Sequence, residues 1–79
     1  FSLPENVTLI EKDAFGYCSS LKEITIPKGV TAIGDYAFFN CTNLTTVNMK
    51  CPQDSVSLGK DWQPTNNGLK IDALNINWE

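Results

Sequence analysis

Leu21-Lys22-Glu23-Ile24-Thr25-Ile26-Pro27-Lys28-Gly29-Val30-Thr31-Ala32-Ile33-Gly34-Asp35-Tyr36-Ala37-Phe38-Phe39-Asn40-Cys41 is the stretch that decides the fold. Leu21, Ile24 and Ile26 put Glu23 and Thr25 on the opposite face, which is the two-residue alternation of a half-buried strand. Pro27 closes that strand because it offers no amide hydrogen to a ladder. Gly29 suits a turn, after which Val30 and Ile33 point inward again before Gly34. Asp35 then stands where an aspartate can cap a single helical or 3₁₀ turn, which would place Ala37 and Phe38 inside. Read this way, the stretch is one coil of chain that goes out as a strand and comes back as a turn.

The same coil occurs just upstream. Residues 1–23 set against 24–46 are identical at Pro4/Pro27, Val7/Val30, Thr8/Thr31, Ile10/Ile33, Ala14/Ala37, Phe15/Phe38, Cys18/Cys41 and Leu21/Leu44. Average residue usage would give about one or two matches by chance. A third unit opens with Val47-Asn48-Met49, and the register is then lost at Lys50-Cys51-Pro52, where the array is expected to end. A 23-residue unit is too short to close a core, so each must stack on its neighbours with strands in parallel, as in a solenoid. The inward set Leu21, Ile24, Ile26, Val30, Ile33, Ala37, Phe38, Cys41, Leu44 and Val47 should form one core, with Phe15 stacked on Phe38.

Composition narrows the function. The chain has 79 residues, 42% hydrophobic and 19% charged, with no apolar run long enough to span a bilayer. It is one small domain. Its six basic residues are all lysine, against nine acidic ones, for a net charge of −3. Without arginine it lacks the side chain most used on phosphates and guanine edges, so nucleic acid is not an expected partner. Without histidine it builds no Ser-His-Asp triad, Cys-His dyad or His-ligated zinc site. Glu11, Glu23 and Asp35 have no spacing that pairs two carboxylates in a pocket, so no catalytic residue and no enzymatic activity is expected. Cys18, Cys41 and Cys51 include no CxxC and are odd in number. Cys18 and Cys41 are expected as buried, unbonded thiols at equivalent points of adjacent coils, leaving Cys51 as the reactive one.

Leu21-x-x-Ile24-x-Ile26-Pro27-x-x-Val30-Thr31-x-Ile33-Gly34-x-x-Ala37-Phe38-x-x-Cys41 resembles the BspA-like leucine-rich repeats of bacterial surface proteins and some parasitic protists. The first repeat departs from the pattern at Glu11, which replaces the glycine. The resemblance covers roughly residues 1–50. The segment Asn67-Gly68-Leu69-Lys70-x-x-Ala73-Leu74-x-Ile76-x-Trp78 is more loosely similar to the terminal segment that closes such arrays. The resemblance implies a leucine-rich repeat solenoid of the α/β horseshoe class, mostly β: stacked 23-residue coils with a parallel sheet, short 3₁₀ or helical turns and a C-terminal capping strand. Residues 1–50 would hold two full coils plus a third strand, and residues 51–79 the connection and cap of the same domain. It also implies the C-terminal end of a cell-surface or secreted protein, binding a protein or host-surface ligand without catalysis or cofactor. The alternatives are a purely structural cap on a longer array, or glycan binding through the tail.

The sites expected on this frame are two. The strand faces stack Ser2, Glu23, Thr25, Thr46 and Asn48 into a polar surface of the kind repeat proteins use for binding, although threonine is also an ordinary solvated strand residue. Trp62 with Asn66 and Asn67 offers a stacking plane and amides to a sugar, unless Trp62 packs on the last coil beside Trp78. Leu74, Ile76 and Trp78, alternating with Asn75 and Asn77, read as the capping strand, and Val56 with Leu58 as a short strand before it. Asp54, Asp61 and Asp72 lack a calcium-loop pattern, so no metal is expected. Asn6, Asn40 and Asn43 head glycosylation sequons that arise readily in an Asn/Thr-rich repeat. At the other end nothing covers the first coil, so self-association through it is expected.

Overall fold

The computed structural model describes residues 2–71 and 74–78. Phe1, at the start of the first repeat, lies outside these residues, as do Asp72, Ala73 and Glu79 of the tail.

The chain is mostly β. Its strands are β1 (Leu9–Ile10), β2 (Glu23–Ile26), β3 (Ala32–Ile33), β4 (Thr46–Met49), β5 (Ser57–Leu58), β6 (Thr65–Asn66), β7 (Leu69–Lys70) and β8 (Asn75–Trp78). They form three small sheets where one parallel sheet was expected. Two are parallel, in the orders β1-β3-β5 and β2-β4-β8, and β6 with β7 is an antiparallel ribbon. Ser2 adds an isolated parallel bridge to Thr25.

The parallel ladders carry the repeat into space. Ile24 pairs with Val47 and Ile10 with Ile33, both at the 23-residue period. That register does not stop at Lys50. Lys50 N–H donates to Ile26 O, Ser57 N–H to Thr31 O and Gly59 N–H to Ile33 O, so a third turn of chain follows the second around. Its pairing partners drift, from Ile24 with Val47 to Ala32 with Ser57 to Thr46 with Asn75, as extra residues are accommodated. One insertion forms the 3₁₀ turn Gln53–Ser55 after Pro52, and the other forms the β6–β7 ribbon. Asn67 and Gly68 turn the ribbon at φ 52° and 79°, the positive-φ pair that Asn-Gly supplies in two-residue hairpins.

Between the strands, residues 12–17 and 35–40 are hydrogen-bonded turns where short helical turns were expected. Each runs on successive i to i−3 bonds: Ala14 to Glu11, Gly16 to Asp13 and Cys18 to Phe15, then Ala37 to Gly34, Phe39 to Tyr36 and Cys41 to Phe38. Asp35 is not a cap for its own turn. Its Oδ1 accepts the Lys60 N–H of the next turn at 2.8 Å. Stacking this close explains the glycines. A Cβ on Gly34 would meet the Lys12 backbone and lie 2.7 Å from Glu11 C, and one on Gly59 would lie 2.5 Å from Asp35 N. Glycine stands where one turn packs on the previous one, and Glu11 has no described residues stacked behind it.

Ile10, Ile24, Ile26, Val30, Ile33, Ala37, Phe38, Cys41, Leu44, Val47, Met49, Cys51 and Trp62 make one buried cluster, with Leu21 packed against it half-buried. Phe15 and Phe38 stack with centroids 5.3 Å apart and planes 6° apart. β8 extends the sheet as a further parallel rung, setting Ile76 beside Val47 and Trp78 beside Met49, both half-buried.

Candidate functional site

The inward positions of β2 and β4 are fully buried, which fixes the opposite positions on the outer face. Pairing aligns Glu23, Thr46 and Asn75 in one row and Thr25, Asn48 and Asn77 in a second, with Ser2 bridged to Thr25. All five residues expected on this surface therefore share one face. The sequence reading missed that Asn75 and Asn77 join them. Their alternation was visible, but the inserted residues hid the register that sets them beside Thr46 and Asn48.

These side chains are coupled. Asn77 Nδ2 donates to Asn48 Oδ1 at 3.0 Å, and Asn48 Nδ2 donates to Glu23 Oε2 at 3.0 Å. This ladder crosses three strands and aims each amide before any partner arrives, so less side-chain freedom is lost on binding. Glu23 carries the one formal charge in the two rows. The surface is suited to recognition by hydrogen bonds from amides and hydroxyls, with Glu23 as its single carboxylate.

The tail residues are distributed differently. Trp62 is 6% exposed, with its ring edge-on to Phe38 at 6.4 Å and 69°. It packs in the core against Phe38, and its ring is not an open plane. Asn66 and Asn67 are exposed on the ribbon. Asn40 anchors that ribbon: its N–H donates to Thr65 Oγ1 at 2.8 Å, and its Oδ1 accepts from Gly68 N–H at 2.8 Å and from Thr65 Oγ1 at 3.2 Å. The Asn43 amide donates to Ser19 O at 2.6 Å. Two of the three sequon asparagines are thus engaged within the fold.

All three cysteines are free. Cys41 is buried and its Sγ donates to Phe15 O at 2.9 Å. Burial pushes the thiols of Cys41 and Cys51 above their ordinary value. The expected order of reactivity is corrected here: Cys51 lies in the core, and Cys18 is the half-exposed thiol. Cys51 follows β4 by two residues and is fully buried in the core cluster. Among the described residues no group of three His, Cys, Asp or Glu side chains is placed to hold a metal ion, and Asp72 lies outside them. No helix among them is long and apolar enough to cross a membrane.

Residues 1–62 match the family model of the BspA type leucine-rich repeat region. No curated protein and no solved structure matches the chain. The matched region runs beyond Lys50 and through Trp62, in keeping with the continued pairing of the third turn. Repeats of this type serve as protein-interaction or adhesion modules and are generally non-catalytic, and their carriers are typically surface or secreted proteins. With more than three quarters of its length matched and the repeat written into its hydrogen bonds, the chain belongs to the BspA-type leucine-rich repeat family.

Proposed function

We propose that the chain is a non-catalytic binding or adhesion module of a surface or secreted protein. Its two parallel sheets are two sides of one short solenoid, and its ligand surface is the outer face of β2, β4 and β8. The observation that carries this reading is the Glu23–Asn48–Asn77 side-chain ladder. A row of amides held in register across strands offers a pre-aimed donor and acceptor array to a protein ligand. Ser2, Thr25 and Thr46 flank it with hydroxyls.

Adherence of protein-coated beads to a panel of purified extracellular proteins tests this. Replacing Thr25 and Asn48 by lysine should abolish adherence to any ligand found, while Lys28→Glu and Asp54→Lys, elsewhere on the surface, should leave it intact. Adherence that survives the sheet-face changes would move the ligand surface elsewhere.

A second reading is favoured by the first turn. Leu3, Val7, Phe15, Cys18 and Leu21 are half-buried there, and shallow apolar depressions open between them. We infer that this end seats another turn of chain, so the protein self-associates through it when a second copy is the one available. Sedimentation from micromolar to millimolar concentration should show a monomer–dimer equilibrium that Leu3→Lys weakens. A strict monomer throughout would refute it.

A further inference from the structure

Away from the sheet face, the stacked turns 12–17 and 35–40 build a second feature. Asp13 N–H donates to Asp35 O, Phe15 N–H to Ala37 O and Tyr17 N–H to Phe39 O, at 3.1, 2.8 and 2.7 Å. This ladder sets Asp13 beside Tyr36 and brings Gly16 to the position that Phe39 occupies one turn later. Where Phe39 carries a ring, the first turn carries no side chain. The result is an open depression lined by Asp13, Tyr17, Tyr36 and Phe39.

The rings do not stack. Tyr17 meets Phe39 edge-on at 5.8 Å and 79°, and Tyr36 meets Phe39 edge-on at 5.7 Å and 89°. Tyr17 is 70% exposed, which a core-filling aromatic would not be. Asp13, Tyr17 and Tyr36 also hold φ of 58°, 62° and 56°, a region costly for tyrosine. Tyr36 and Phe39 are half-buried beside Tyr17, and a strained, exposed tyrosine held by a backbone ladder is a feature that packing does not explain.

We propose that Asp13, Tyr17, Tyr36 and Phe39 form a cage for a small quaternary ammonium ion of the cholinium type. Inclined rings surround a compact cation with their electron-rich faces, whereas a flat sugar needs one open plane. The Asp13 carboxylate, which has no ion-pair partner among the described residues, supplies the opposing charge in a chain of net charge −3. A primary ammonium would bring three N–H groups and a tightly held water shell to a site with one carboxylate. A quaternary ammonium brings only methyl groups and charge, which three rings and one carboxylate satisfy.

Proton NMR titration of the intact protein with choline and with tetramethylammonium, at constant ionic strength, tests the assignment. Both should move the ring signals of Tyr17, Tyr36 and Phe39 with a Kd of about millimolar order, as expected for an open cage. The neutral isostere 3,3-dimethylbutan-1-ol should move them little. Tyr36→Asn and Tyr17→Asn are fold-compatible, because asparagine tolerates this backbone region and Asn40 already adopts it at φ 54° in the position equivalent to Tyr17. Each should weaken choline binding about tenfold or more, and Asp13→Asn should weaken it by a smaller factor while melting is unchanged. Gly16→Leu, which fills the depression with the rings in place, should abolish binding. Equal binding of the neutral isostere would make the feature an apolar patch and overturn the proposal. So would ring signals that stay fixed at saturating choline, or binding indifferent to Tyr36→Asn and Gly16→Leu.

Discussion

The first and second turns share their apolar residues almost position for position and bury them very differently. Phe38, Ala37, Cys41 and Leu44 are fully buried, whereas their counterparts Phe15, Cys18 and Leu21 are half-buried and Ala14 is exposed. The residues compared are the same, so the difference comes from what surrounds them. The second turn lies between two others, and the first has a described neighbour on one side only. In a stacked repeat, burial is conferred by the turns above and below, so the same side chain contributes different stability at different places in the array.

The largest expected effect removes a neighbour. Deleting residues 68–79 takes away β7 and β8 and the Gly68 N–H bond to Asn40, leaving Val47 and Met49 uncovered. The shortened chain should be insoluble or unfolded by circular dichroism. Cooperative unfolding of a soluble product would show that β4 and the turns before it do not depend on β8.

Truncating the paired phenylalanines sharpens the comparison. Phe38→Ala should cost about 3–5 kcal/mol, as for other buried phenylalanines. Phe15→Ala, already half solvated, should cost about half of that. In a domain this size the gap between them should appear as roughly 10 °C in melting temperature. Equal losses would mean that the first turn is as well covered as the second.

The glycines give a smaller version of the same contrast. Gly34→Ala forces a Cβ into the backbone of Glu11 and Lys12, an overpacking that should cost about 1–3 kcal/mol. Gly16→Ala meets nothing closer than Asp13 O at 3.4 Å and should change stability by less than about 1 kcal/mol. Thermal melts of the two variants decide the order.

The smallest effect is a pH dependence. Burial raises the Cys41 and Cys51 thiols above their ordinary value of 9.0, so the folded chain holds these protons more firmly than the unfolded one. Their contribution is fully present below the unfolded value and is lost as pH rises through the folded one. Melting temperature should therefore fall above about pH 9, and Cys41→Ala with Cys51→Ala should flatten that fall while lowering the whole curve. An unaltered slope would separate these thiols from the effect.

What the sequence made legible follows the same division. Where the period is strict, from Leu21 to Met49, alternation located β2, β4 and their buried faces, and equivalence of Phe15 and Phe38 located the ring stack. Where residues are inserted, at Pro52–Ser55 and Thr65–Lys70, the period fails although the hydrogen bonding does not, because backbone ladders tolerate insertions between rungs. The third turn, the burial of Cys51 and the alignment of Asn75 and Asn77 were lost with it. The ribbon had a local signal of its own in Asn67-Gly68. The cage at Asp13, Tyr17, Tyr36 and Phe39 had none, since it depends on side chains that differ between the two turns.

Cys18 and Cys41 occupy the same place in successive turns, so their reactivities test most directly whether neighbours confer burial. The native protein is treated briefly with a thiol alkylating reagent, and each cysteine's modification is measured by peptide mass spectrometry. Cys18 should be modified while Cys41 and Cys51 stay protected, with all three modified alike in denaturant. Equal modification of Cys18 and Cys41 in the native protein would contradict the account.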